Sequence, residues 1–155
     1  VLDDLPDVAV VEGGDCVIGI ESTVVRVEGS GVSILRPGQV SGAELLDVAS
    51  SVFEYTSSSV TAESPGQQPR HYAPSVPCRP LHDAPQLGAG ALLISDLAFD
   101  GFTVRMPADP VGYGKRLYAA LRELEACGVN EILIELPPSE TPWSAVHDRL
   151  RRAMG

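Results

Sequence analysis

Apolar and polar positions change their rhythm near the middle of this 155-residue chain. In the first part, short apolar runs at residues 8–11 and 16–20 flank a Gly13-Gly14 turn. Strand signals continue through residues 22–27 and 32–35, with Glu28-Gly-Ser-Gly31 between them as a tight hairpin turn. These runs predict the edge of a β-meander. Ser41-Gly-Ala-Glu44 then has capping-box spacing, with Leu45, Val48, Ala49 and Val52 at helical intervals behind it, so a helix of about three turns is expected there.

In the last part, strands and helices alternate. Residues 91–94 and 102–106 read as strands, and Asp109-Pro110 opens a helix with an acidic cap and a proline at its first position. Tyr113, Leu117, Leu121 and Leu124 give that helix one apolar face, and Gly128 supplies its stop. A strand over residues 131–136 follows. Thr141-Pro142 repeats the cap-plus-proline start, and Trp143, Val146, Leu150 and Met154 form the apolar side of a final helix. The alternation predicts an α/β fold in which residues 76–155 form a small three-layer, Rossmann-like domain with a parallel sheet. A dinucleotide site is weakly supported, because Gly88 and Gly90 precede a strand and no Gly-x-Gly-x-x-Gly opens a helix. Trp143 and the Tyr113 stripe read as core.

Between the two parts, residues 64–74 read Ser-Pro-Gly-Gln-Gln-Pro-Arg-His-Tyr-Ala-Pro. Three prolines fix φ, remove three donors and bias the preceding residues to extended geometry. The segment is expected to be a stiff strap, a linker or lid that presents Arg70, His71 and Tyr72 in nearly constant directions. A bland connector is the competing reading of the same composition.

Composition narrows the partners. With 44% hydrophobic and 5% aromatic residues, the chain reads as an ordinary water-soluble α/β protein. No apolar run approaches the roughly 20 residues of a membrane span, and the opening residues lack a signal-peptide pattern, so a cytoplasmic location is expected. A formal net charge of −10 opposes non-specific attraction to nucleic acid, and no direct nucleic-acid contact is expected. Cys16, Cys78 and Cys127 are odd in number and widely spaced, which argues against a disulfide framework or a zinc site and favours small buried side chains. Val1 at the start, together with strand runs that begin at once, suggests a fragment of a longer domain.

The polar exceptions in the first part are Glu21-Ser22-Thr23, between two apolar runs, and Arg36-Pro37-Gly38 at a strand end. Singly, each reads as a bulge, a polar sheet face or a solvated strand end. Together with Arg70 and Tyr72 they would form a pocket for an anion and a ring, since a guanidinium fork chelates phosphate or carboxylate. Three motifs in order, Gly19-Ile-Glu-Ser-Thr-Val-Val25, Ile34-Leu-Arg-Pro-Gly38 and Ser64-Pro-Gly-x-x-x-Arg-His-Tyr-x-Pro74, resemble the later half of the long-form threonylcarbamoyl-AMP synthases, YrdC-type enzymes with an extra C-terminal domain. The resemblance continues through Tyr118-Ala-Ala-Leu-Arg122, Glu135-Leu-Pro-Pro138 and Trp143-Ser-Ala-Val-His-Asp-Arg-Leu150, and so spans essentially the whole chain.

That resemblance implies three parts: residues 1–55 as the C-terminal part of a YrdC-like twisted-sheet domain, 56–75 as a linker or lid, and 76–155 as the Rossmann-like domain. It implies an enzyme that condenses L-threonine, bicarbonate and ATP, with magnesium and no permanently bound cofactor, into threonylcarbamoyl-AMP and pyrophosphate. Other tRNA-modifying proteins would use that product. By the same resemblance Ser22 matches a threonine contact, Arg36 and Tyr72 match ATP contacts, and Arg70 and His71 belong to the strap. No nucleophile or proton-transfer residue stands out, so catalysis would rest on positioning and charge neutralisation. The family's earlier Lys-x-Arg and Ser-x-Asn motifs have no counterpart before Glu21. The isolated chain is therefore expected to be inactive and, through an exposed sheet edge, prone to self-association. The alternative reading is a non-catalytic nucleotide- or partner-binding module, and a stable α/β remnant is the third.

Overall fold

The computed structural model describes residues 7–14, 16–53, 73–82 and 87–155. Two sheets organise them. The first has three strands in the order β1-β2-β3: β1 (Val24–Glu28), β2 (Gly31–Arg36) and β3 (Ser51–Phe53). The expected hairpin forms, with β1 antiparallel to β2 and Glu28 paired with Gly31. The third strand departs from a meander, because β3 runs parallel to β2 after a crossover through α1 (Gly42–Leu45).

Capping chemistry at α1 is as the sequence predicts. Ser41 Oγ accepts from the Glu44 N–H at 3.3 Å, and Glu44 Oε2 accepts from the Ser41 N–H at 2.8 Å. The length is not. The helix stops after four residues, and Val48, one of the expected apolar positions, is 85% exposed. With little to bury, a helix of this length gains too little from packing to continue. Val52 instead joins β3 beside Val32, where a β-branched side chain suits the pleat. The two earliest apolar runs, residues 8–11 and 16–20, carry no strand, and only Ile20 among them is buried.

The second sheet has four parallel strands in the order β4-β7-β5-β6: β4 (Cys78–Pro80), β5 (Ala89–Leu93), β6 (Phe102–Arg105) and β7 (Glu131–Ile134). Strand β4 has no counterpart in the sequence reading, since three residues ending in proline carry too little periodicity to register. Helix α2 (Pro110–Ala126) starts where expected, with Asp109 Oδ1 accepting from the Gly112 N–H at 2.8 Å. The final helix differs in its start: Thr141–Trp143 form a 3₁₀ turn, no side chain caps it, and α3 spans Ser144–Met154.

Both long helices lie on one face of this sheet. Leu92, Val104, Ile132 and Ile134 point into a single core with Tyr113, Leu117, Leu121 and Leu124 of α2 and Val146 and Leu150 of α3. The opposite face presents Ala89, Ala91, Leu93 and Leu133, against which Leu81 and Phe99 pack. Among the described residues this is helices on one side and connecting segments on the other, a correction to the three-layer expectation. The physical reason is the β5–β6 connection, which spans residues 94–101 without a helix. Trp143 and Tyr113 are core residues, as predicted, and meet edge to face with ring centroids 5.7 Å apart. Of the cysteines only Cys78 is buried; Cys16 and Cys127 are exposed, contrary to the sequence reading. No helix among the described residues is long and apolar enough to cross a membrane.

The segment that leads into the first sheet packs directly on α2 of the second region. A Cβ on Gly19 would lie 2.2 Å from the Lys115 Cα and 2.3 Å from the Gly114 carbonyl oxygen, so the chain passes over the start of α2 at backbone distance. Ile20 beside it enters the core of the second sheet. Only glycine permits so close an approach.

Candidate functional site

At the end of the first hairpin, the ladder between β1 and β2 is irregular: Val25 pairs with Ile34, but Val24 pairs with Arg36. A bulge of this kind turns a side chain out of the regular alternation. Here it aims Arg36 at the residues that lead into β1, and Arg36 Nη2 donates to Ser22 Oγ at 2.6 Å across 14 positions of sequence. Two residues singled out from the sequence are thus brought together.

Their placement is locked from beneath. A Cβ on Gly38 would come within 2.3 Å of the Ser22 carbonyl carbon, so the turn after β2 packs directly on the Ser22 backbone. The Gln39 N–H donates to the Glu21 carbonyl at 3.1 Å, and Thr23 Oγ1 donates to the Val40 carbonyl at 2.7 Å. The motif pair Glu-Ser-Thr and Arg-Pro-Gly is therefore one unit of structure. Each half supplies what the other needs to hold its shape.

Arg36 is half-buried, and burial is the first cause that lowers its pKa from the ordinary arginine value. Arg149 and Arg152 lower it further, whereas Asp148 and Tyr118 act in the opposite direction. Asp148 is 1% exposed and accepts a two-pronged bond from Arg152, Nε to Oδ2 and Nη2 to Oδ1, both at 3.0 Å. Arg149 Nη1 adds a third bond to Oδ2 at 2.6 Å. The sequence reading passed over this trio. Its signal was a carboxylate and an arginine four apart on the helix side opposite Val146 and Leu150, a pattern that ordinarily marks a solvated face.

Arg70, His71 and Tyr72, the strap candidates, lie outside the described residues. A groove of about 1160 Å³ runs between the first sheet and α3, floored by Ile34, Val52 and Leu150 and edged by Glu140, His147 and Arg151. Asp148, Arg149 and Arg152 of α3 do not line it. Among the described residues no group of three His, Cys, Asp or Glu side chains could hold a metal ion. The pair formed by the Arg36 guanidinium and the Ser22 hydroxyl suits an anion better than a magnesium ion bound by the protein itself.

Similarity to known proteins covers nearly all of the chain. Residues 40–155 match the family model of the threonylcarbamoyl-AMP synthase C-terminal domain. A threonylcarbamoyl-AMP synthase of Pyrococcus abyssi is 30% identical over 166 aligned positions, which cover 94% of this chain and 49% of the relative. The Schizosaccharomyces pombe protein of that name is 26% identical, with 93% and 44% covered. The crystal structure of Pyrococcus abyssi Sua5 complexed with L-threonine superposes with a TM-score of 0.74 at 26% identity, over 92% of this chain and 48% of that one. A variant of the same protein, with an adjacent histidine and tyrosine changed to alanine, gives 0.70 at 23% identity, over 92% and 47%. The chain spans about half the length of the curated relatives it matches.

Proposed function

Since this chain belongs to the family of threonylcarbamoyl-AMP synthase C-terminal domains, we propose that it supplies the later half of an enzyme that joins L-threonine, bicarbonate and ATP into threonylcarbamoyl-AMP and pyrophosphate. The product would serve the threonylcarbamoyladenosine modification of tRNA in the cytoplasm, through other proteins that handle the tRNA. In this reading residues 1–55 belong to the synthase domain, 56–75 are a linker or lid, and 76–155 are a Rossmann-like domain. The parallel sheet and the β6-α2-β7 crossover support the last of these.

The observation that carries the reading is the Arg36–Ser22 hydrogen bond at 2.6 Å. Ser22 would contact threonine, and Arg36 would grip ATP with the strap residue Tyr72, while Arg70 and His71 assist from the same segment. A hydroxyl suits an amino-acid ligand, and a guanidinium suits phosphate. The chemistry asked of these groups is positioning and neutralisation of charge. Magnesium would arrive with the ATP phosphates, since among the described residues no cluster of three His, Cys, Asp or Glu side chains could hold it.

The test joins the chain to the N-terminal half of the Pyrococcus abyssi relative and follows threonine-dependent pyrophosphate release from ATP. Arg36→Ala should lower it by about tenfold or more, and Arg36→Lys, which keeps the charge but loses the fork, should also lower it clearly. Undiminished release in both variants overturns the assignment of Arg36. The chain by itself should release no pyrophosphate in a threonine-dependent way.

A further inference from the structure

An open parallel sheet offers a ligand one favoured place, the crevice beyond the carboxyl ends of two neighbouring strands whose connections leave in opposite directions. The second sheet has such a point between β5 and β7. In the order β4-β7-β5-β6, the connection leaving β5 runs to β6 on one side, and the connection leaving β7 runs to α3, which packs on β4 on the other. Ile94 and Ser95 follow one of these strand ends, and Glu135 follows the other.

Successive backbone N–H groups that converge on one point make a concavity for an anion. Here they already hold one. Glu135 Oε2 accepts from the Ile94 N–H at 2.7 Å and from the Ser95 N–H at 2.9 Å, across 41 and 40 positions of sequence. The Glu135 N–H donates to the Leu92 carbonyl at 3.0 Å, which fixes the root of the side chain in the sheet. Arg105, at the end of β6, secures the same segment from its carbonyl side: Nη1 donates to the Ser95 carbonyl, and Nη2 donates to the Leu97 carbonyl at 3.1 Å. Residues 94–101 form no helix, so a carboxylate and a guanidinium satisfy backbone groups that helical hydrogen bonds would otherwise take. The groove beside α3 does not reach Ile94, Ser95 or Glu135, as expected for a crevice that is filled.

We propose that Glu135 is an internal ligand: its carboxylate occupies a carboxylate-binding site that the second sheet builds between the ends of β5 and β7 and that the chain fills from within. An outside anion reaches the Ile94 and Ser95 N–H groups only once Glu135 is removed or displaced. Residues 76–155 therefore keep closed the place where a sheet of this order would receive a nucleotide phosphate, which counts against reading them as a nucleotide-binding module. Arg105 is a positioning residue in this arrangement. The site belongs to the second sheet alone and is independent of the roles given to Arg36 and Ser22.

The experiment removes the internal ligand from the 155-residue chain and offers acetate in its place. Glu135→Ala should lower the melting temperature by about 3 °C or more, because a carboxylate held by two backbone donors is lost. Sodium acetate should restore about half of that loss or more in a saturable way, and sodium chloride at the same ionic strength should not. By NMR, acetate should move the Ile94 and Ser95 amide signals of Glu135→Ala with one dissociation constant. Glu135→Gln fills the same space without the charge, so acetate should leave its melting temperature and both signals unchanged. Leu133→Ala makes a cavity at a fully buried position of the same strand, and acetate should help it no more than chloride does. In the wild-type chain, acetate, phosphate and ATP should leave both signals in place. Should Glu135→Ala fail to fold, refolding carries the test: recovery with acetate but not with chloride supports the proposal, and no recovery overturns it. An unchanged melting temperature in Glu135→Ala, an acetate effect no larger than that of chloride, or an equal acetate effect in Glu135→Gln or Leu133→Ala also overturns it. So does a saturable shift of both signals in the wild-type chain, since the site would then be open.

Discussion

The two sheets of this chain are built from strands of similar length yet are held by different means. In the second, β5 and β7 are buried at every position, and α2 and α3 close one face over them. In the first, β1 ends in three exposed residues, β3 has no buried position, and Val32 and Ile34 of β2 are the buried hydrophobic side chains of the sheet. The second region carries its own core. The first is shaped by local devices, a hairpin, a bulge, a capping box and two close glycine contacts, and leans on α2 through Gly19 and Ile20. The difference separates the candidate residues from the larger core: Arg36 and Ser22 belong to the region with the smaller core, whereas Asp148, Arg149 and Arg152 belong to the region with the larger one.

The comparison is broken most forcefully by cavity formation. Leu117 on α2 is fully buried, so Leu117→Ala should cost about 2–5 kcal/mol by urea denaturation. Val27 on β1 is 69% exposed, and Val27→Ala should stay within about 0.5 kcal/mol. Equal losses at the two positions would mean that the first sheet hides a core of its own.

The joint between the regions is the next target. Gly19→Ala forces a methyl group against the backbone of Gly114 and Lys115, and it should cost about 1–3 kcal/mol. Its signature is regional. Amide hydrogen exchange should speed up in residues 31–36 more than in residues 89–93, because only the first sheet depends on this contact. Uniform acceleration would show that the two sheets unfold as one unit.

The smallest expected effect is a difference in acid response. Burial alone would raise the Glu135 carboxyl, but the N–H and hydroxyl of Ser95, the N–H of Ile94 and Arg105 outweigh it and hold the group below the usual carboxylate range. Its stabilising contribution is therefore present above the unfolded value, about 4.3, and is lost as pH falls through the lowered folded value. Glu44 in the capping box is also lowered, first by the Ser41 hydroxyl, but it is fully exposed and screened by solvent. Below about pH 4.3, melting of the wild-type chain should therefore drop more steeply than that of Glu135→Gln. Glu44→Gln should leave the slope nearly unchanged. Parallel melting curves for wild type and Glu135→Gln would remove the proposed distinction.

Sequence alone determined the features that are local in the chain. The Glu28–Gly31 turn, the Ser41–Glu44 capping box, the Asp109-Pro110 helix start and the apolar face of α2 all rest on contacts a few residues apart, so spacing and residue type suffice to read them. It also singled out Ser22 and Arg36, because a polar residue within an apolar run has to be explained by something. Tertiary structure decided what depends on partners far away. Whether residues 16–20 became a strand depended on an available neighbour; how long α1 ran depended on what it could bury; which side of α3 carries Asp148, Arg149 and Arg152 was set by Val146 and Leu150 turning into the core of the second sheet. The same Asp-to-Arg spacing on an exposed helix would be a solvated ion pair, and here packing removes the water that would otherwise screen its charge.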